Sequence, residues 1–182
     1  MPAAIVIDFG SVQGEEKDPD LVKAAFEDFM KADAVQPFLA SNYGFAIFPT
    51  IGKAGIGVGG AHGKGWVFKG RKSTGVTSMT QVTIGFQLGG QAYSQLIFFE
   101  DQRAYDSFTS GNFEFGAQAS AVAITAGANA SASTAGGTSA AAGNSQTKAD
   151  YSMGMAVFTR AKGGLMYEAT LGGQKFSFKA YE

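Results

Sequence analysis

The chain contains no cysteine and only one histidine among its 182 residues. Without cysteine there can be no disulfide framework, no thiolate metal site and no cysteine nucleophile. The single histidine, His62, lies among glycines, where it would be poorly held as the base of a Ser-His-Asp triad. No spacing of histidines and carboxylates predicts a metal site. We therefore expect no catalytic residue, no metal and no cofactor, and we expect that the chain is not an enzyme.

Acidic residues are missing from the middle of the chain. Residues 1–33 hold eight acids and three bases, whereas residues 34–99 hold no acid and five bases. Such a stretch should project a positive field that suits anionic ligands. A largely buried β segment would also lack acids, but burial does not explain why the bases remain. The five bases are Lys53, Lys64, Lys69, Arg71 and Lys72.

Long apolar runs are also absent. No run approaches the roughly 18 apolar residues that a membrane-spanning helix needs. Met1–Gly10 lacks the basic start of a secretory signal, and Asp8 interrupts its short apolar run. We expect a cytoplasmic protein, with peripheral attachment to a membrane and export of a longer precursor as alternatives.

Glycine, in contrast, is abundant, with 26 residues. Together with many aromatic residues and four prolines, this composition favours a turn-rich β protein over a disordered chain. Residues 45–70 read FAIFPTIGKAGIGVGGAHGKGWVFKG. We predict three short strands here, the first ending at Pro49, and a hairpin tip with positive φ at Gly59–Gly65 around His62 and Lys64. The alternative is a solvated turn whose lysines only keep the sheet edge soluble.

Helices are predicted at three places. Asp18 and Pro19 predict the start of an amphipathic helix, with Asp18 as its N-cap. Its apolar face should pack on a sheet, and its acidic polar face argues against direct binding to anionic lipid. Its apolar positions are Leu21, Val22, Ala25, Phe26, Phe29 and Met30. Short helices are expected at Ala34–Ser41 and near residues 101–110.

The remaining pattern is that of strands. We predict strands at Gln81–Leu88 and Ala92–Phe99, joined by a turn at Gly89–Gly90. Residues 112–126 alternate, and residues 128–147 form a flexible insertion of small residues. Three closing strands complete a single α+β domain over residues 1–182, with a mainly antiparallel curved sheet, either a sandwich or a barrel. They span Tyr151–Arg160, Gly164–Leu171 and Gln174–Ala180.

Two nucleotide-binding patterns fail on their surroundings. Gly55, Gly57 and Gly60 match G-x-G-x-x-G, but no helix start follows and no acid appears before Glu100. The run from Gly65 resembles a phosphate-binding loop with its lysine displaced by one position. Bases and aromatics interleave over residues 66–72, but without an RNA-binding motif. We expect no nucleic-acid partner.

The run YGFAIFPTIGKAGIGVGGAHGKGWVF at Tyr43–Phe68 closely resembles the SYLF domain family. The resemblance covers about residues 20–180 and continues through Ile84–Gln91, Leu96–Phe99, Ala104, Phe108 and Tyr151–Ser152. It implies a non-enzymatic module that binds acidic membrane lipids, phosphoinositides in eukaryotic members, and actin filaments in some fungal members. The absent signal, the small-residue insertion and the acidic first helix depart from the family pattern.

We therefore expect peripheral binding to an anionic phospholipid membrane surface through a basic, glycine-rich hairpin. The alternative is a protein-interaction module with a protein partner, and a small-ligand carrier or hydrolase is a weaker one. The candidate lipid-binding residues are Lys53, His62, Lys64, Trp66, Lys69, Arg71 and Lys72.

Overall fold

A computed structural model describes residues 6–85, 91–116, 123–125, 154–161 and 173–182. A 3₁₀ turn at Phe9–Ser11 precedes helices α1 (Asp18–Met30) and α2 (Gln36–Ala40). Strands β1 (Gly44–Lys69), β2 (Lys72–Gly85) and β3 (Gln91–Phe99) follow. Helix α3 (Gln102–Thr109) and strands β4 (Ala123–Thr125), β5 (Met155–Ala161) and β6 (Lys175–Ala180) complete the described elements.

These strands form one six-stranded curved sheet in the order β4-β5-β3-β1-β2-β6. All neighbours are antiparallel except β4 and β5. The structure confirms the predicted α+β class, the helix near residues 101–110 and the strand predicted at Ala92–Phe99, which is β3. The predicted turn at Gly89–Gly90, the insertion at 128–147 and the strand Gly164–Leu171 lie outside the described residues.

The prediction of three short strands around a hairpin tip at Gly59–Gly65 is wrong. Strand β1 is continuous, and its second half pairs with β2 from Gly57 to Lys69. Strand β1 also continues through Pro49, which has no N–H to donate. This is possible because the pairing of β1 with β3 is irregular between Phe48 and Ile51, where no ladder hydrogen bond from Pro49 is required. The turn lies further on, at Gly70 and Arg71, and Gly70 has the positive φ of +62°.

The glycines of β1 serve close packing instead. Strand β1 bends back on itself, so that its two ends lie close together. The residues that flank it are hydrogen-bonded there, with the Gly70 N–H donating to the Tyr43 carbonyl at 2.9 Å. A Cβ at Gly65 would lie 2.5 Å from the Phe48 ring and 2.8 Å from the Ile47 carbonyl oxygen. A Cβ at Gly63 would similarly lie 2.6 Å from the Ile51 side chain. Side chains are excluded here because the two halves of β1 lie against each other.

Helices α1 and α2 pack on one side of the sheet, which we call the helix face, and the buried side chains between these helices and the sheet form the helix-face core. Phe26 of α1 lies 5.2 Å from Phe45, measured between ring centroids, and Phe38 of α2 stacks on Phe98 at 5.8 Å. The amphipathic α1 is therefore a core element, as expected. The predicted N-cap, Asp18, is wrong by one residue, because the N-cap is Lys17. The Asp18 carboxylate is buried in the first turn and accepts the Glu15 N–H at 2.8 Å.

The opposite face carries α3 and a second core. Asp101 caps α3 by accepting the Ala104 N–H, and Phe108 packs 5.1 Å from Phe99 and 4.8 Å from Phe176. The predicted strand over residues 112–126 is described in two parts. Residues 113–115 form ladder hydrogen bonds with the start of β6, and the rings of Phe113 and Phe115 pack on Phe176; β4 is a short strand.

A fully buried amide pair lies within this second core. The Gln95 and Gln174 side chains donate to each other at 2.9 and 3.0 Å, and the Gln174 amide also approaches the Tyr93 hydroxyl. Leucine at Gln174 would leave the Gln95 amide buried without this partner, so we expect a loss of about 1–3 kcal/mol in the free energy of unfolding. Urea unfolding measures this loss.

The double variant Gln95→Leu/Gln174→Leu is the control for this pair. It removes both amides together, so it should lose less than the sum of the two single variants. Strictly additive losses would contradict the assigned pairing.

Candidate functional site

The β1–β2 turn brings three of the predicted cations together. Lys69 and Lys72 are cross-strand partners at the end of the ladder, and Arg71 lies in the two-residue loop between them. All three side chains are exposed. Among the described residues, none of the three lies within 4 Å of a carboxylate. We call Lys69, Arg71 and Lys72 the turn cluster.

Aromatic side chains hold Lys69 at the base of this cluster. Its ammonium lies 5.7 Å from the centroid of the Tyr43 ring and 6.0 Å from that of Tyr105 on α3. A side-chain hydrogen bond with Tyr43, and the charge of that group, raise the pKa of Lys69 above its ordinary value. Asp106 raises it further. Lys69 therefore stays charged at neutral pH, in a position where cation–π contacts limit its motion.

Lys64 and His62 belong to a different surface. The Lys64 ammonium lies 5.1 Å from the ring centroid of Trp66, a residue of the helix-face core, whereas Lys69 reaches Tyr105 on the opposite face. The two lysines therefore project to opposite sides of the sheet. His62 is exposed on the same side as Lys64, with its Nδ1 atom 3.3 Å from the Thr80 hydroxyl oxygen. The expectation of one shared cationic surface needs this correction.

Trp66 is a buried structural residue. Its side chain is 3% exposed, and its indole N–H donates to the Gln13 carbonyl at 3.0 Å. Burial removes the ring from any surface contact, so the prediction that Trp66 lies at the ligand contact does not fit its position. The side chain of Lys53 lies outside what the structure describes.

The register of the sheet adds two bases that the sequence interpretation missed. Strand β6 pairs with β2 so that Thr80 lies beside Lys175 and Val76 beside Lys179. The exposed alternation of Lys175, Ser177 and Lys179 was visible in the sequence as KFSFK. Nothing in the sequence showed that this strand lies two strands away from His62 and Lys64, with β2 between them.

Other kinds of site have less support in the described part of the chain. It contains no group of three or more histidine, aspartate and glutamate side chains that could hold a metal ion. Among the helices described, none is long and apolar enough to cross a membrane.

Comparison with known proteins gives the family. No curated protein matches the chain. The model of the Ysc84 family, described as "Las17-binding protein actin regulator", matches residues 80–181, which is more than half of the chain. This family carries the SYLF domain, in agreement with the resemblance of the Tyr43–Phe68 run. It is a family of binding modules. The chain therefore belongs to the Ysc84 (SYLF) family.

Proposed function

We propose that this chain is a non-enzymatic module that binds anionic phospholipid surfaces through the turn cluster. The observation that supports it is the geometry of Lys69, Arg71 and Lys72, three exposed cations at one hairpin end without a described carboxylate in ion-pair range. A hairpin end can approach a lipid surface without displacing core elements. Phosphoinositides, with several phosphates in one head group, are the lipid class that three clustered cations suit best.

Two nearby acids, Asp8 and Asp106, reduce the positive electrostatic field of the turn cluster. The Asp8 N–H donates to the Arg71 carbonyl, and Asp106 acts on Lys69. Both acids are exposed, so solvent screens them. The resulting attraction should be moderate and should weaken with salt. We further propose a cytoplasmic location with reversible attachment to the membrane surface.

Neutralising the turn cluster tests the proposal. In K69Q/R71Q/K72Q the three cations are lost, and because a base near an anionic surface typically contributes about fivefold in affinity, we expect about a hundredfold weaker vesicle binding. Co-sedimentation with phosphatidylcholine vesicles that contain phosphatidylserine or phosphoinositide measures the loss.

The matched control is K17Q/K23Q/K31Q, which removes the same charge from α1 and from the residues directly before and after it. This variant should bind within a few-fold of the unmodified chain. The proposal is overturned if neutral and acidic vesicles bind equally well at low salt, or if the two triple variants lose the same affinity.

A protein partner is the second candidate function. The family description, which names Las17 and actin regulation, favours it. We propose such a partner for this chain as an alternative to lipid. Binding to a purified partner that is unchanged in K69Q/R71Q/K72Q, with no vesicle binding by the unmodified chain, would favour this candidate over the first.

A further inference from the structure

A second cationic surface lies on the helix face of the sheet, beyond the part that packs in the helix-face core. Directly paired residues of antiparallel strands share a face, so the register places Lys64, Ser78 and Ser177 in one row. His62, Thr80 and Lys175 form the next row. Lys179 stands beside Val76 in the third. We call these residues the basic sheet face: His62, Lys64, Ser78, Thr80, Lys175, Ser177 and Lys179.

The charges of this face are almost all of one sign. In the part of the chain that the structure describes, the pairing places one acid in these rows, Glu114, which forms an isolated antiparallel bridge with Lys175. Within the described residues, Lys64 and Lys179 have no carboxylate within 4 Å, and Lys175 meets only Glu114, at 3.9 Å. Both members of that pair are well exposed, with 72% and 49% of their side-chain surface accessible, so the pair is weak and easily exchanged.

Hydroxyl groups fill the space between the cations. The Ser78 and Ser177 hydroxyls lie 2.6 Å apart, and the Ser177 hydroxyl also accepts the Ser78 N–H. The Thr80 hydroxyl lies beside His62. Hydroxyls of this kind can donate hydrogen bonds to carboxylate oxygens. The face therefore offers both charge and short-range donors to an anionic partner.

Lys64 is positioned in advance for such a contact. Its ammonium lies over the ring of Trp66, and that ring is held by burial and by its bond to the Gln13 carbonyl. A cation that is already restrained loses less rotamer entropy when it binds. Buried Trp66 thus acts through Lys64 instead of contacting the partner itself.

The shape of the face favours a polypeptide over a membrane. Lys175 and Lys179 are four residues apart on one strand, or about 13 Å, and lie two strands, or about 10 Å, from the β1 residues. The cations therefore spread over an open strand surface. Carboxylates carried along a peptide segment can match this spread.

We propose that the basic sheet face is the docking surface for an acidic segment of a partner protein. This surface is distinct from the turn cluster, and the proposal does not depend on lipid binding. The argument is charge complementarity: a face with three lysines and a histidine, a single exposed and weakly paired acid at its margin, and hydroxyl groups between the cations fits aspartate and glutamate side chains.

Binding of synthetic peptides to the full chain tests the proposal. The probe is a twelve-residue peptide rich in aspartate and glutamate, and its control has asparagine and glutamine at the same positions. We expect the acidic peptide to bind and the amide peptide not to bind. In K64Q/K175Q/K179Q the affinity should fall by about tenfold or more, since each exposed ion pair contributes up to about fivefold. Isothermal titration calorimetry at low salt measures both affinities.

K69Q/R71Q/K72Q is the matched control and should keep the peptide affinity within about twofold. Circular dichroism verifies that both triple variants are folded. The proposal is overturned if the unmodified chain does not bind the acidic peptide, if both peptides bind equally, or if the two triple variants lose the same affinity. It is also overturned if K64Q/K175Q/K179Q loses vesicle binding but keeps peptide binding, because the face would then be a lipid surface.

Discussion

Phe98→Ala is expected to lower the free energy of unfolding by about 3–5 kcal/mol. The Phe98 side chain has no exposed surface and lies on β3, in the centre of the helix-face core. Its ring packs against Phe38 at 5.8 Å, Phe45 at 6.1 Å and Phe158 at 6.0 Å, measured between centroids. These three rings come from helix α2 and from strands β1 and β5, so the cavity left beside β3 cannot close without moving several elements.

The control for this prediction is Phe178→Ala on β6. It removes the same atoms from a partly exposed position at the margin of the second core. Chemical denaturation should show a clearly smaller loss for Phe178→Ala. Equal losses for the two variants would show that the helix-face core does not dominate the stability of the chain. A loss of this size is large against a typical total stability of about 5–15 kcal/mol.

Gly65→Val is expected to destabilise the fold by about 3 kcal/mol or more. A Cβ at this position meets both the Phe48 ring and the Ile47 backbone oxygen at less than 3 Å, and valine adds two further methyl groups. The backbone oxygen cannot rotate away as a flexible side chain could. The two halves of β1 must then separate, which disturbs the pairing of β1 with both β2 and β3.

Gly52→Val is the matched control, because Gly52 is in the same strand but no atom lies within 4 Å of its Cβ position. Valine there should be neutral or slightly stabilising, since it restricts the unfolded chain and suits a strand. Thermal unfolding of the two variants compares them directly. If Gly65→Val were as stable as Gly52→Val, close approach would not be the reason for glycine in β1.

The helices were the part of the fold most open to sequence reasoning. The Asp18–Pro19 start, the apolar periodicity of α1 and the Asp101 start of α3 are local features, and each produced the expected element. The turn at Gly70 also has a local signal, since residues 69–73 read KGRKS, a run in which glycine is followed by polar residues. The tip expected around His62 was wrong because glycine has two uses, positive φ and close packing, and a sequence does not distinguish them.

The candidate site was harder to predict than the fold. The acid-free stretch identified five bases as a set, Lys53, Lys64, Lys69, Arg71 and Lys72. Whether a side chain projects to one face or the other depends on strand register, and a shift of one residue reverses every side chain. For this reason Lys64 and Lys69 separated onto opposite faces, and Trp66 became a core residue.

The amino-acid sequence by itself determined the α+β class, the amphipathic α1, the basic composition of the middle of the chain and the likeness to the SYLF family. These follow from composition, from short-range periodicity and from contiguous motifs. Only the tertiary structure decided that Lys175 and Lys179 lie two strands from His62 and Lys64 and that the turn cluster stands apart from them. The reason is that pairing between β2 and β6 joins residues about a hundred positions apart, and no local pattern encodes which of them become neighbours.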